Sequence, residues 1–311
     1  MAIRTISPEL LKLAELELNE VPNRRLEDIE QIQKWLKTDP RIKGRDDDQW
    51  ILSFLRGCKF SLERTKEKLA HYYMMRTVAP EFLRNRDPLR PELQELLKLG
   101  VLIPLKKSSD SGAPRVLLLH DCGGGDSEAV SVANMVKVAL MIMDILVNED
   151  DNFVIAGHIV LHNFKGVTLN HAAQLTPIMV NNILVCFQNS YPSRPKEFHY
   201  INTPSFFNNI FNVVKLFMVE KLKKRIKIYN KDYQNDLRNS IPNDILPKEY
   251  GGEGGFVQEL IDEWKTKVES YREWFLDDEQ YTYFNDINFK SSFMPEEDGV
   301  VEGSFRKLTI D

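Results

Sequence analysis

The spacing of apolar residues changes near residue 100, and the change separates two kinds of structure. Before it, apolar positions recur at helical spacing. Leu26, Ile29, Ile32, Trp35 and Leu36 share one face, and "SLERTKEKLAHYYMMRTVAPEF" (61–82) opens with Ser61 as an N-cap. Pro80, Pro88 and Pro91 then punctuate the chain. After it, short apolar runs predict strands over 101–106, 114–121, 153–164, 197–203 and 225–230. Helical patterns fall between them, over 132–148, 170–188 with Asn170 as cap, and 205–218. Strands alternating with helices predict an α/β domain with a largely parallel sheet. "LPKEYGGEGG" (246–255) is a turn-rich stop, and one more helix follows over 256–277. From Asp277 to Glu302 eight acids face one lysine, the composition of a surface tail. The expected organisation is a helical domain over 1–95, an α/β domain over 96–255, and a C-terminal helix with an acidic tail over 256–311.

The stretch "NIFNVVKLFMVEKLKKRIKIYNK" (209–231) joins two unlike surfaces. At 100° per residue, Phe206, Phe207, Ile210, Phe211, Val213, Val214, Phe217 and Met218 cover an arc of about 160°. That width fits a helix buried on all those positions. It also fits a helix with apolar contacts on two sides, which covers a cavity and lies on a membrane. Phe207, Ile210, Val214 and Met218 would then form the outer stripe. Between Lys215 and Lys231 stand seven basic residues and one acid, Glu220, in a chain whose net charge is −5. A charge run of this kind is either a solvated face or a patch for an anionic surface. Apolar wedge beside basic patch is the two-signal pattern of reversible membrane attachment.

The remaining composition excludes more than it adds. Cys58, Cys122 and Cys186 form no close pair, so neither a zinc motif nor a disulfide framework is expected. "CGGGDS" (122–127) follows a strand, but Glu128 falls where a dinucleotide loop needs its third glycine. His158 and His162 share a face of a predicted strand yet lie ~13 Å apart, too far to hold one ion. No HExxH and no GxSxG occurs. Neither catalysis, a cofactor nor a metal is expected. The acidic balance and the lack of interleaved aromatics argue against nucleic acid. No apolar run approaches the ~18 residues that span a bilayer, and the N-terminus lacks a signal-peptide core. A cytoplasmic monomer with peripheral membrane contact is expected.

Four segments in order resemble the CRAL-TRIO family, which includes tocopherol and retinaldehyde carriers and the clavesins. They are "WILSFLRGCKFSLERTKEKL" (50–69), "GHIVLHNFKGVTLNHAAQLTP" (157–177), "QNSYPSRPKEFHYINTPSFFNNIFNVVKLFMVEKLKKRI" (188–226) and "LPKEYGG" (246–252). The resemblance implies a helical bundle leading into an α/β lipid-binding domain, whose deep apolar pocket is closed by a mobile helix matching 205–218. It implies Leu175, Ile183, Cys186, Phe187, Tyr191 and Phe198 in the pocket wall, with Phe206, Ile210, Val213 and Phe217 on the inner side of the lid. Strand parity adds His158, Val160 and His162 on one face, polar points suited to a ligand with a hydroxyl or carbonyl. It further implies a phosphoinositide surface at Arg194, Lys196, Lys221 and Arg225. Cys58 stands where the family often has arginine, with Lys59 beside it as the fifth basic residue expected at that surface, and Leu216 replaces a usual proline. Three functions stay open: a carrier of a retinoid, tocopherol or similar terpenoid; a phosphoinositide-reading trafficking adaptor, for which endosomes are the expected site; and a phospholipid exchanger.

Overall fold

The computed structural model describes residues 3–120, 130–229 and 233–284 of the 311. The glycine run at 122–127, Lys231 and the acidic stretch beyond Phe284 lie outside the described residues.

The N-terminal half is helical, as its spacing predicts: α1 (Pro8–Leu18), α2 (Arg25–Thr38), the two-residue β1 (Ile42–Lys43), α3 (Asp48–Gly57), α4 (Leu62–Val78), α5 (Pro80–Leu83) and α6 (Pro91–Leu99). Side-chain caps start several of these helices. Ser7, Asp47 and Ser61 each accept a backbone N–H of the first turn, which would otherwise be unpaired.

Next come β2 (Ile103–Pro104), β3 (Arg115–Leu119), α7 (Val132–Glu149), β4 (His158–Asn163), α8 (Leu169–Gln174), α9 (Pro177–Val185), β5 (Pro195–Ile201), α10 (Phe207–Leu216), α11 (Glu220–Lys223) and β6 (Ile226–Ile228). The strands form one sheet in the order β2-β3-β4-β5-β6, antiparallel at the first pair and parallel thereafter. From β3 to β6 the order advances without reversal. Right-handed crossovers then place α7, α8–α9 and α10 on one face. The other face, with Val116, Leu118, Ile159, Leu161 and Ile201, packs under α12 (Gln234–Arg238) and α13 (Val257–Ser270). The stop segment seals that layer. A Cβ on Gly252 would stand 2.0 Å from the Leu246 carbonyl oxygen, and the Tyr250 hydroxyl accepts from Asn163 Nδ2 at 3.1 Å.

Several predicted boundaries move; the helix expected over 256–277, for one, breaks at Tyr271. The strand expected from 153 begins only at His158, because Asn152–Ala156 is a helical turn that ends at Gly157, φ 85°. A short apolar run such as "FVIA" fits a buried turn as well as a strand. The single helix expected over 170–188 is two. Pro177 has no N–H to continue α8, and Thr176 caps a fresh start at α9. Thr168, not Asn170, caps α8.

The C-terminus closes onto the bundle. After α13 come α14 (Arg272–Asp278) and β7 (Thr282–Tyr283), which pairs antiparallel with β1. Asp278 has no solvent exposure and contacts Arg45 at 2.9 Å, Arg76 and Arg86. Arg86 also reaches Asp144 of α7, which accepts the Tyr72 hydroxyl at 2.9 Å. The stretch from Asp277 to Phe284 is thus packed structure, against its reading as the start of a tail.

Candidate functional site: an aromatic floor under α10 and a cationic cluster beside it

Register decides what lies under α10. Leu117, Val160 and Phe198 align across three strands, and Leu119, His162 and Tyr200 form the next row on the same face. The His162 ring stacks on Phe164 at 3.8 Å and meets Tyr200 edge-on at 5.7 Å. Phe164 meets Phe207 edge-on at 4.8 Å, and Tyr200 meets Phe211 at 5.8 Å. A continuous aromatic stack therefore runs from the strands into α10. His162 and Tyr200 sit within this stack, yet both keep accessible surface. Nearby, α9 buries Val180 and Asn182 while Met179, Ile183 and Leu184 are only half-buried. Phe187, Leu175, Phe198, Phe206, Ile210 and Phe217 are half-buried too.

Other expected pocket residues lie elsewhere. Cys186 and Tyr191 are fully buried core. Tyr191 packs edge-on against Tyr72 of the helical bundle at 5.2 Å and reaches the Leu140 carbonyl. His158 stacks on Phe153 at 4.9 Å at the far end of β4, buried, with no hydrogen-bond partner for Nδ1 among the described residues. Val160 is buried between the two histidines.

The two sides of α10 differ from the expectation. Phe207, Phe211 and Met218 are buried and Val214 packs with them, together with Leu184, Tyr200, Leu222 and Ile226. Phe207, Val214 and Met218 thus face inward, not outward. Val213, expected inside, is 42% exposed and stands with Leu216 at 79% and Val219 at 54%. The helical wheel has the right arc, but which edge turns inward depends on how the helix docks, and Phe164 and Tyr200 select Phe207 and Phe211.

Burial pushes the His158 and His162 imidazoles down to about 3. Both are neutral in the folded state, while the unfolded chain takes up protons below pH 6.5. Stability should therefore fall as pH drops from 6.5 towards 3. His162→Leu should remove about 2 kcal/mol of the difference between pH 6.5 and pH 5. Urea unfolding at the two pH values measures this, and an unchanged difference would contradict it.

The second feature is cationic. Lys221 lies in the field of Arg225, Lys59, Arg194 and Lys196, and partial burial first, then these charges, lower its pKa. Local strain helps build the cluster. Lys59 and Phe60 both adopt left-handed backbone (φ 54° and 56°), a conformation that costs non-glycine residues roughly 1–2 kcal/mol each. The turn is pinned because a Cβ on the preceding Gly57 would meet Pro192 at 2.6 Å. Lys68 also donates to the carbonyls of Gln188 and Asn189, each at 3.1 Å. The structure thus brings all five expected basic residues together from three separate segments. Sequence reasoning missed Glu17 of α1, which accepts from Arg194 Nη2 at 2.6 Å and from Lys196 Nζ at 3.0 Å. No sequence pattern marks it, since it lies far from the motif it touches.

A separate cleft of about 630 Å³ opens at the β2 edge, lined among others by Arg115, Glu149, Asp150, Trp264 and Lys267. Several of its charges are paired, Arg115 with Asp150 at 2.8 Å and Lys267 with Glu149 at 2.6 Å. It is remote from α10 and has the wrong lining for an apolar cargo. Among the described residues no helix is long and apolar enough to cross a membrane.

A largely parallel sheet with its crossover helices on one face, an aromatic floor beneath one of them and a cationic edge define an α/β protein with apolar and basic surfaces side by side. Comparison with known proteins gives the family. The CRAL/TRIO domain profile matches residues 109–252, and a Pinta-like UBA domain profile matches residues 21–93. Alpha-tocopherol transfer protein-like of Mus musculus is 30% identical over 253 residues, 81% of this chain and 72% of that protein. Clavesin-2 of Homo sapiens is 29% identical over 248 residues, covering 79% and 75%. A solved structure described as the crystal structure of Sfh5 aligns at a TM-score of 0.48 and 15% identity, over 80% of this chain and 89% of that one. The chain belongs to the CRAL-TRIO family, so lipid binding and transfer are its function class.

Proposed function

We propose that the protein carries one apolar small molecule, a retinoid, tocopherol or similar terpenoid, held beneath α10 and exchanged at membranes. The observation that carries this reading is the surface that His162 and Tyr200 keep accessible beside a helix docked through Phe207 and Phe211. The two side chains supply polar contacts for a hydroxyl or carbonyl in an otherwise apolar space. Val213, Leu216 and Val219 form the outward apolar edge, which is the surface a bilayer would meet. Phosphoinositide headgroups at Lys59, Arg194, Lys196, Lys221 and Arg225 would hold the protein at the membrane while α10 opens and cargo leaves.

Native mass spectrometry of the purified protein, with organic extraction of what co-purifies, tests this. The expected result is one small lipid per chain. A space that stays empty after exposure to lipid extracts would overturn the carrier reading. The second reading, a phosphoinositide-reading trafficking adaptor, would then take its place, and the five-residue cationic cluster is the observation that favours it.

A further inference from the structure

The cationic cluster already holds an anion of its own. Glu17 accepts from both Arg194 and Lys196, while Lys59 and Lys221 pair with no carboxylate among the described residues. Arg194 is aimed by a second bond, from Nη1 to the Ile155 carbonyl, and Arg225 likewise donates to the Pro195 carbonyl. The acid is placed with care. Helix α1 docks through Leu10, Ala14 and Leu18 on Ile155 and Ala156, a small apolar cluster of its own. It is held at both ends: Arg4 pairs with Asp151 at 2.9 Å before it, and Glu20 with Arg56 at 2.9 Å after it. The backbone that carries Glu17 is therefore fixed, and its half-exposed side chain is the part that can swing away. Helix α1 also precedes both regions that match family profiles.

We propose that Glu17 sets a charge threshold for the anion site: a headgroup must bring at least two phosphate monoesters to replace this carboxylate on Arg194 and Lys196 while also engaging Lys59 and Lys221. A lipid with one phosphate monoester or none reaches only the unpaired lysines, and its gain there does not displace Glu17. Glu17 is thus a specificity-determining residue that favours inositol headgroups with two or more phosphate monoesters over phosphatidylserine and phosphatidylinositol monophosphates. The physical basis is competition. A charge-assisted hydrogen-bonded pair must be broken before the site accepts a ligand, and only a ligand that makes more such pairs recovers the loss. This inference rests on the anion-site reading above.

The test is co-sedimentation of the full chain with phosphatidylcholine vesicles. These carry phosphatidylserine, a phosphatidylinositol monophosphate or a phosphatidylinositol bisphosphate. The unchanged protein should bind the bisphosphate vesicles best. Glu17→Gln should raise binding to the phosphatidylserine and monophosphate vesicles by about tenfold, the worth of one charge-assisted pair. Binding to bisphosphate vesicles should change much less, so that discrimination collapses. An equal gain on all three compositions, or none, would overturn the threshold while leaving the anion site in place. Failure of the unchanged protein to bind any of the three would instead overturn the anion-site reading. Soluble inositol trisphosphate should displace the protein from bisphosphate vesicles. Vesicle binding that resists it would mean attraction to surface charge alone and would sink the headgroup assignment.

Discussion

Asp278→Asn should lower the free energy of unfolding by about 3–5 kcal/mol, the usual cost of breaking a buried ion pair by removing one partner. The carboxylate is fully buried and is shared by Arg45, Arg76 and Arg86, which come from the N-terminal helical region. Without it three guanidiniums crowd a dry site, and Asp144 answers only Arg86. Burial works against the ionised form of Asp278, but the three arginines overcome it and hold its carboxyl at about 2, below the ordinary 3.8. The sign follows directly. The stability that Asp278 confers is complete above pH 3.8 and is lost as pH falls towards 2. Asp278→Asn should therefore remove part of the acid sensitivity along with the stability. Urea unfolding at pH 7 and pH 3 measures both, and an unchanged midpoint at pH 7 would show that this network contributes no net stability.

Reversing two charges, Arg194→Glu with Lys196→Glu, should weaken binding to anionic vesicles about a thousandfold at low salt. Each basic residue near such a surface contributes about 1 kcal/mol, and each reversal removes one favourable charge and adds one unfavourable, for a total of about 4 kcal/mol. Cargo occupancy should survive, because these residues open β5 while Tyr200 lies near its other end. The check is vesicle co-sedimentation alongside mass spectrometry of the bound lipid. Vesicle binding that survives reversal would remove the cluster from the membrane mechanism, and loss of cargo would show that the two sites are not separable.

The element order, the parallel sheet and the helix over 205–218 were legible because each rests on local periodicity and capping. So was the common face of His158, Val160 and His162, which strand parity alone requires. Burial was not legible from parity. His158 and His162 sit on one face, but Phe153 covers one and Phe164 stacks on the other. Cys186 and Tyr191 follow α9 directly, yet the bundle absorbs them, because Tyr72 comes from more than a hundred residues away. Asp278 looked like one of the first acids of a solvated tail, since nothing local announces three buried arginines.

By itself, the sequence determined the alternation of strands and helices, the apolar arc of α10 and the presence of a basic run against an acidic background. These are properties of neighbouring residues, which the backbone's own periods make readable. Only the tertiary structure decided which edge of α10 turns inward, which half of the expected pocket wall is core, and that Glu17 sits among the cations. Each of those depends on contacts between segments far apart in the chain, where packing and charge pairing, not spacing, choose the partner.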